Sequence, residues 1–361
     1  MIESVLFLIV FLLAFSNGAN DVSKGIATLV GSGAASIQRA TVWGVVTTAL
    51  GSVAAIVFGG LLLKVFSKGL LADGFDPAQI ALAVAAGAAL WVLIASRLGL
   101  PVSTTHAIVG AIIGAGLASF GGDGVSWSGL QKKALLPLLI SPFVSFGISY
   151  IAFPYFNKRF ASSKEKCLCV EQCEIVPATN AFAFSIPVVS IVAGNVETCP
   201  PASVNSFQMK LTDTLHFFSS GLTSFARGLN DTPKMAALLL GATVFGSQSN
   251  LFIYFLVAIG IVAGGLIGGR RVIETLSQKI TSLEPVEGFI SNAITALLVM
   301  TGSVFGLPFS TTHVSTSSIV GIGVASGNGV QWKVVRDILL AWLVTLPSAG
   351  IAAYAVQKLL T

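Results

Sequence analysis

The block "FSNGANDVSKG" at residues 15–25 returns as "FARGLNDTPKM" at residues 225–235. Phe15, Gly18, Asn20, Asp21 and Lys24 are matched by Phe225, Gly228, Asn230, Asp231 and Lys234, each 210 positions further on. A second block, "GLPVSTTHAIVGAIIGAGLAS" at 99–119, returns without gaps as "GLPFSTTHVSTSSIVGIGVAS" at 306–326. A third, "GDGVSW" at 122–127, returns as "GNGVQW" at 327–332. Three blocks in one order and at nearly constant spacing mean that the chain is two copies of one unit. The expected division is a first repeat over 1–155, an insert over 156–205 and a second repeat over 206–361.

Composition decides the solvent of that unit. Only 10% of the 361 residues are charged, 54% are hydrophobic, and the mean hydropathy is +0.88. A soluble domain carries about 25% charged residues. Apolar runs recur at 2–16, 42–63, 80–96, 134–153, 251–269, 289–305 and 338–356, and a helix needs roughly 20 such residues to cross a bilayer. The runs are continuous and do not alternate, which argues against a β-barrel. The expectation is an all-α polytopic protein of the cell (plasma or inner) membrane, with the lipid bilayer around it. Residues 2–15 have neither the positive flank nor the small-residue cleavage site of a signal peptide, so they read as the first span. The net charge of +5 fits basic cytoplasmic loops rather than nucleic-acid binding. "NKRFASSKEK" places the insert inside. With the N-terminus outside, each half crosses an odd number of times, and the halves are inverted relative to each other.

Within this apolar frame, Asp21 and Asp231 lie at membrane depth, where a carboxylate costs about 2.5–3.5 kcal/mol and marks a functional position. Gly18 beside Asn20, and Pro233 in the second copy, predict a broken helix at each site. Such breaks are tolerated where the freed backbone lines a cavity. Lys24 and Lys234 have three open roles: snorkelling to an interface, pairing with the neighbouring Asp, or attracting an anion.

The "GLPxSTTH" blocks place Gly99 and Gly306 at helix ends, and Pro101 and Pro308 at the start of the next helices. Ser103, Thr104 and Thr105, with Ser310, Thr311 and Thr312, then fall in a first turn. Unpaired N–H groups and the positive dipole end make that turn an anion site. One hydroxyl serves as a cap; three in a row, twice, exceed that need. His106 and His313 read as structural or orienting groups, and His216 has no repeat partner. Two carboxylates beside an anion need cations to offset them. Oxygen ligands suit a hard ion such as Na⁺, and the cation and anion then raise each other's affinity.

"GANDVSKG", "GLNDTPK" and the paired "GLPxSTTH" blocks resemble the inorganic phosphate transporter family, over both repeats and most of the chain. The resemblance implies a Na⁺-coupled, in some members H⁺-coupled, phosphate symporter with inverted repeats and broken or re-entrant helices, often a homodimer. Such a protein is a secondary transporter importing inorganic phosphate by alternating access around a midplane site, and not an enzyme. Phosphate would be held by Ser103, Thr104, Thr105, Ser310, Thr311, Thr312, Asp21 and Asp231, and Na⁺ by Asn20, Asp21, Thr104, Asn230, Asp231 and Thr311. A proton-coupled sulfate or phosphate symporter is the alternative. The family pattern GANDVANAFG departs here after Val22, where Ser23 and Lys24 replace Ala and Asn.

The insert carries Cys167, Cys169, Cys173 and Cys199. Four thiols in one segment fit either a Zn or Fe–S site or two disulfides. Residues 181–194 are apolar but short, and form either a small β-rich subdomain or a segment docked on the membrane.

Overall fold

A backbone in hydrocarbon has no water to bond, so its hydrogen bonds must close within helices. The computed structural model describes residues 2–160, 166–175, 186–195, 206–242 and 250–361, with those between 166 and 209 described by backbone alone. Among the described residues, every regular element before 161 and after 210 is helical. The first half runs α1 (Ile2–Gly31), α2 (Ile37–Phe58), α3 (Gly60–Lys68), α4 (Ala78–Arg97), α5 (Thr104–Phe120), α6 (Trp127–Leu130) and α7 (Leu136–Phe160). The second runs α8 (Leu211–Leu240), α9 (Asn250–Gly268), α10 (Arg270–Gln278), α11 (Pro285–Val304), α12 (Thr311–Ser326) and α13 (Trp332–Leu360). Helices that carry matched blocks have matched lengths: 30 residues each for α1 and α8, and 20 each for α4 and α11, which precede the GLP turns.

Among the described residues seven segments are helical, long and apolar enough to cross a membrane, and each apolar run of the sequence overlaps one of them, the run 42–63 passing beyond Phe58 into α3. Side chains are sorted to match. Val57, Ile151, Ile267 and Leu343 are about three-quarters exposed, whereas Asp21, Lys24, Arg227, Asp231 and Lys234 are buried. This is a multi-pass membrane protein. Helix α8 is too polar to count among the seven, yet it is as deeply buried as α1.

The two halves exchange partners. α1 packs on α9 and α8 on α2, while α5 packs on α13 and α12 on α7. Phe15 and Phe225 stand at matched repeat positions, and the carbonyl of each rests against a glycine of the other half, Gly264 and Gly51.

The helix break expected at the Asn–Asp motif is not there. α1 runs unbroken through Gly18 and Asn20, and α8 through Gly228 and Pro233. Gly18 serves packing instead, since a Cβ at that position would stand 2.0 Å from the Ile261 carbonyl oxygen on α9. The chain breaks elsewhere, at Gly59 between α2 and α3 and at Gly269 between α9 and α10. These two positions are again 210 apart.

The GLP turns behave as the sequence predicts. Gly99 (φ 72°) and Gly306 (φ 70°) are left-handed and fold α4–α5 and α11–α12 into hairpins. An L-residue pays about 1–2 kcal/mol in that region. Gly306→Ala also brings its Cβ to 2.9 Å from Leu61 Cβ, whereas at Gly99 the nearest atom is 3.4 Å away. Gly306→Ala therefore lowers the unfolding midpoint in detergent more than Gly99→Ala; equal drops would contradict this packing.

Between α7 and α8, β1 (Lys166–Ile175) pairs antiparallel with β2 (Ile186–Asn195) and β3 (Ser206–Lys210), in the order β2-β1-β3, so the sheet reaches past the expected insert boundary at 205. Cys167, Cys169 and Cys173 lie on β1, and Cys199 lies outside the described residues. Among the described residues no group of three or more His, Cys, Asp or Glu side chains could hold a metal, so a Zn or Fe–S centre has no support.

Candidate functional site

The two hairpin tips meet the middle of α1 and α8. Asn20 Nδ2 donates to Ser96 Oγ (3.1 Å) and the Leu100 carbonyl (2.9 Å), and Asn20 Oδ1 accepts from the Val102 N–H (3.2 Å). In the second half, Asn230 Nδ2 donates to the Phe309 carbonyl (3.1 Å) and Thr311 Oγ1 (3.3 Å), and Asn230 Oδ1 accepts from Ser303 Oγ (3.2 Å). Each asparagine therefore pins the tip of its own hairpin.

The halves are joined through Asn17. Its Nδ2 lies 3.0 Å from Asp21 Oδ2, 3.0 Å from Thr104 Oγ1 and 3.2 Å from Asp231 Oδ2. An amide has two N–H bonds, so these three acceptors share them. Lys24 Nζ donates to the Asn20 carbonyl (2.7 Å), Asn20 Oδ1 (2.6 Å) and Asp21 Oδ1 (2.6 Å). Lys234 Nζ donates to Thr105 Oγ1 (2.7 Å), Asp231 Oδ1 (3.2 Å) and the Phe309 carbonyl (3.4 Å). Of the three roles open to the lysines, the structure selects pairing with the neighbouring carboxylate.

The hydroxyls divide. Ser103 and Ser310 are N-caps, accepting from the His106 and His313 N–H groups at 3.2 and 3.3 Å. Thr104, Thr105 and Thr311 accept from the site residues, and Thr312 Oγ1 donates to the Val102 carbonyl of the other hairpin (2.8 Å). The His106 and His313 rings lie 4.4 Å apart between centroids, tilted by 38°, and His313 stacks on Trp342 at 3.8 Å. His216 bonds Thr28 across the halves at 2.9 Å. One buried network of carboxylates, hydroxyls and cations thus draws on both halves of the chain.

A profile described as the phosphate transporter family matches residues 17–353. The chain belongs to that family. A protein of Arabidopsis thaliana named inorganic phosphate transporter 2-1, chloroplastic, is 31% identical over 93% of this chain and 68% of its own. A protein of Rhizobium meliloti named probable low-affinity inorganic phosphate transporter is 28% identical over 93% of this chain and 90% of its own. A solved structure, described as the sodium-dependent phosphate transporter, superposes with a TM-score of 0.79 at 24% identity, covering 99% of this chain and 98% of its own. The fold of this transporter is therefore that of the solved one, and its work is to move phosphate rather than to transform it.

Two residues of this transporter's site do not stand out in the sequence. Asn17 and Arg227 occupy the same repeat position, three residues before the conspicuous Asn. Arg227 is buried, with Nη2 donating to Thr48 Oγ1 at 2.8 Å; among the described residues its Nε and Nη1, and Asn17 Oδ1, have no partner. The signal that could have found Arg227 is the cost of an arginine inside a helix at membrane depth.

Proposed function

We propose that this transporter imports inorganic phosphate by secondary active transport, with alternating access around the site that α1, α5, α8 and α12 build together. Asn17, bonded to Asp21, Thr104 and Asp231 at once, is the observation that carries this reading. A site shared by both halves can open to either side as one half rocks against the other. Phosphate is assigned to Asp21, Asp231 and the two Ser–Thr–Thr runs.

The division into repeats at 1–155 and 206–361, with a cytoplasmic insert at 156–205, belongs to the same reading. With α4–α5 and α11–α12 as returning hairpins, each half crosses three times. An odd count inverts the second half relative to the first. The reading also takes the transporter as a homodimer.

Cation symport supplies the driving force. The structural neighbour is described as sodium-dependent, and the family resemblance implies Na⁺ at Asn20, Asp21, Thr104, Asn230, Asp231 and Thr311. The contacts of Lys24 and Lys234 with several of these groups favour the second reading, in which the proton is the coupling ion. Uptake of labelled phosphate into proteoliposomes under an imposed H⁺ or Na⁺ gradient, with sulfate as competitor, tests both. Accumulation above equilibrium is the expected result, and an excess of sulfate leaves most of it in place. Failure of both gradients to drive accumulation sinks secondary active transport, and full competition by sulfate sinks the choice of anion.

A further inference from the structure

Lys24 and Lys234 are each engaged in a way that uses up a cation site. An ammonium has three N–H donors, and each of these lysines has three oxygens within reach: Asn20 O, Asn20 Oδ1 and Asp21 Oδ1 for Lys24; Thr105 Oγ1, Asp231 Oδ1 and Phe309 O for Lys234. A carboxylate with carbonyl, amide or hydroxyl oxygens is the hard-donor set that a small metal cation would take. Here that set surrounds a nitrogen at 2.6–3.4 Å. Both side chains are buried, with 0% and 1% of their surface exposed, so neither reaches an interface.

Charge points the same way. Three fixed cations, Lys24, Lys234 and Arg227, face two carboxylates, Asp21 and Asp231, which lie within electrostatic reach of the guanidinium. With all five groups ionised, the site carries one surplus positive charge before any ion enters. Where carboxylates stand without fixed cations, an anion needs a bound cation beside it; here a monovalent oxyanion completes the balance. Arg227 supplies the unused donors, since its buried Nε and Nη1 have no partner among the described residues, and an unsatisfied charged donor is costly. Guanidinium suits phosphate oxygens through charge-assisted bonds.

We propose that Lys24 and Lys234 are tethered cations standing in the two coupling-ion positions, that Arg227 meets the phosphate, and that this chain moves phosphate without sodium. The proposal rests on the phosphate-transport reading above, and its first test does not require transport. The purified full chain is heated in detergent in NaCl or in N-methylglucamine chloride at equal ionic strength. The unfolding midpoint is expected to be the same in both salts for the parent. For Lys24→Asn combined with Lys234→Asn it is expected to rise with Na⁺, because two carboxylates have lost their partners. A saturable, Na⁺-specific rise in the parent overturns the proposal.

In proteoliposomes, phosphate uptake by the parent is expected at equal rates in the two salts, and strong stimulation by Na⁺ overturns the proposal. Arg227→Leu raises the phosphate concentration for half-maximal uptake by about tenfold or more, the worth of one charged hydrogen bond, and Arg227→Lys recovers part of the loss. An unchanged half-maximal concentration removes Arg227 from the phosphate. Absence of uptake in every salt defeats the transport reading, while the thermal measurement still decides for or against the lysines.

Discussion

Asp21→Asn unfolds well below the parent in detergent, and adding Lys24→Met to it restores most of the lost midpoint. The single change is isosteric and removes only charge. It strands the ammonium of Lys24, whose closest contacts include Asp21 Oδ1 at 2.6 Å and which has no exposed surface. Breaking a buried pair from one side costs about 3–5 kcal/mol, whereas replacing both partners by neutral groups of similar volume is often close to neutral. The second copy is looser, with Lys234 at 3.2 Å from Asp231, so Asp231→Asn costs less than Asp21→Asn. Thermal melts of the two singles and the double variant read this out directly. A double variant no more stable than Asp21→Asn would mean that the pair does not hold α1 together.

Gly264→Leu removes folded protein altogether, and Gly264→Ala already costs uptake and stability. A Cβ at Gly264 stands 1.9 Å from the Phe15 carbonyl oxygen and 2.7 Å from its carbon. These are backbone atoms, so no rotamer change relieves the clash. α9 must move off α1, and α1 carries Asn17, Asn20, Asp21 and Lys24. Overpacking costs about 1–3 kcal/mol in ordinary cores, occasionally more, and a contact between two backbones belongs at the upper end. Gly51 in α2, 2.0 Å by the same construction from the Phe225 carbonyl, behaves alike. Gly147→Ala in α7 is the control: nothing lies within 4 Å of its added methyl, and removing a helical glycine gains up to about 1 kcal/mol. Yields after detergent extraction and melting midpoints compare the three. Equal behaviour of Gly147→Ala and Gly264→Ala would show that the close approach of α1 and α9 is unimportant.

Much of the arrangement was legible in the sequence because repetition marks what matters. The Asn–Asp blocks and the GLP hairpins are found by their echo, and the helices around them follow from apolar length. What local reasoning misses has a physical cause in each case. Gly18 lowers helix propensity by about 1 kcal/mol, and that reads as a break. The same missing side chain also lets α9 approach, and only the packed structure separates the two uses. Pro233 stays inside α8 because tertiary contacts override its local cost. Asn17 and Arg227 escape for the opposite reason: they occupy matched positions but differ in type, so a search for identities passes over them. The lysine contacts need coordinates, since a side chain with four rotatable carbons reaches an interface, a neighbour or an anion equally well on paper.

The exchange of partners between the halves bears on how the protein is made. α1 is finished about 220 residues before α9 begins. At the usual pace of about 5–20 residues per second, the first helix stays in the bilayer for roughly 10–45 s without the partner its glycines are shaped for. During that interval Lys24 still has Asp21 and Asn20, both on its own helix. The i, i+3 spacing of Asp21 and Lys24 lets the nascent helix neutralise itself before any tertiary contact exists. A chain cut within the insert and expressed as two polypeptides meets the same requirement in trans, with two half-sites that become one only on assembly.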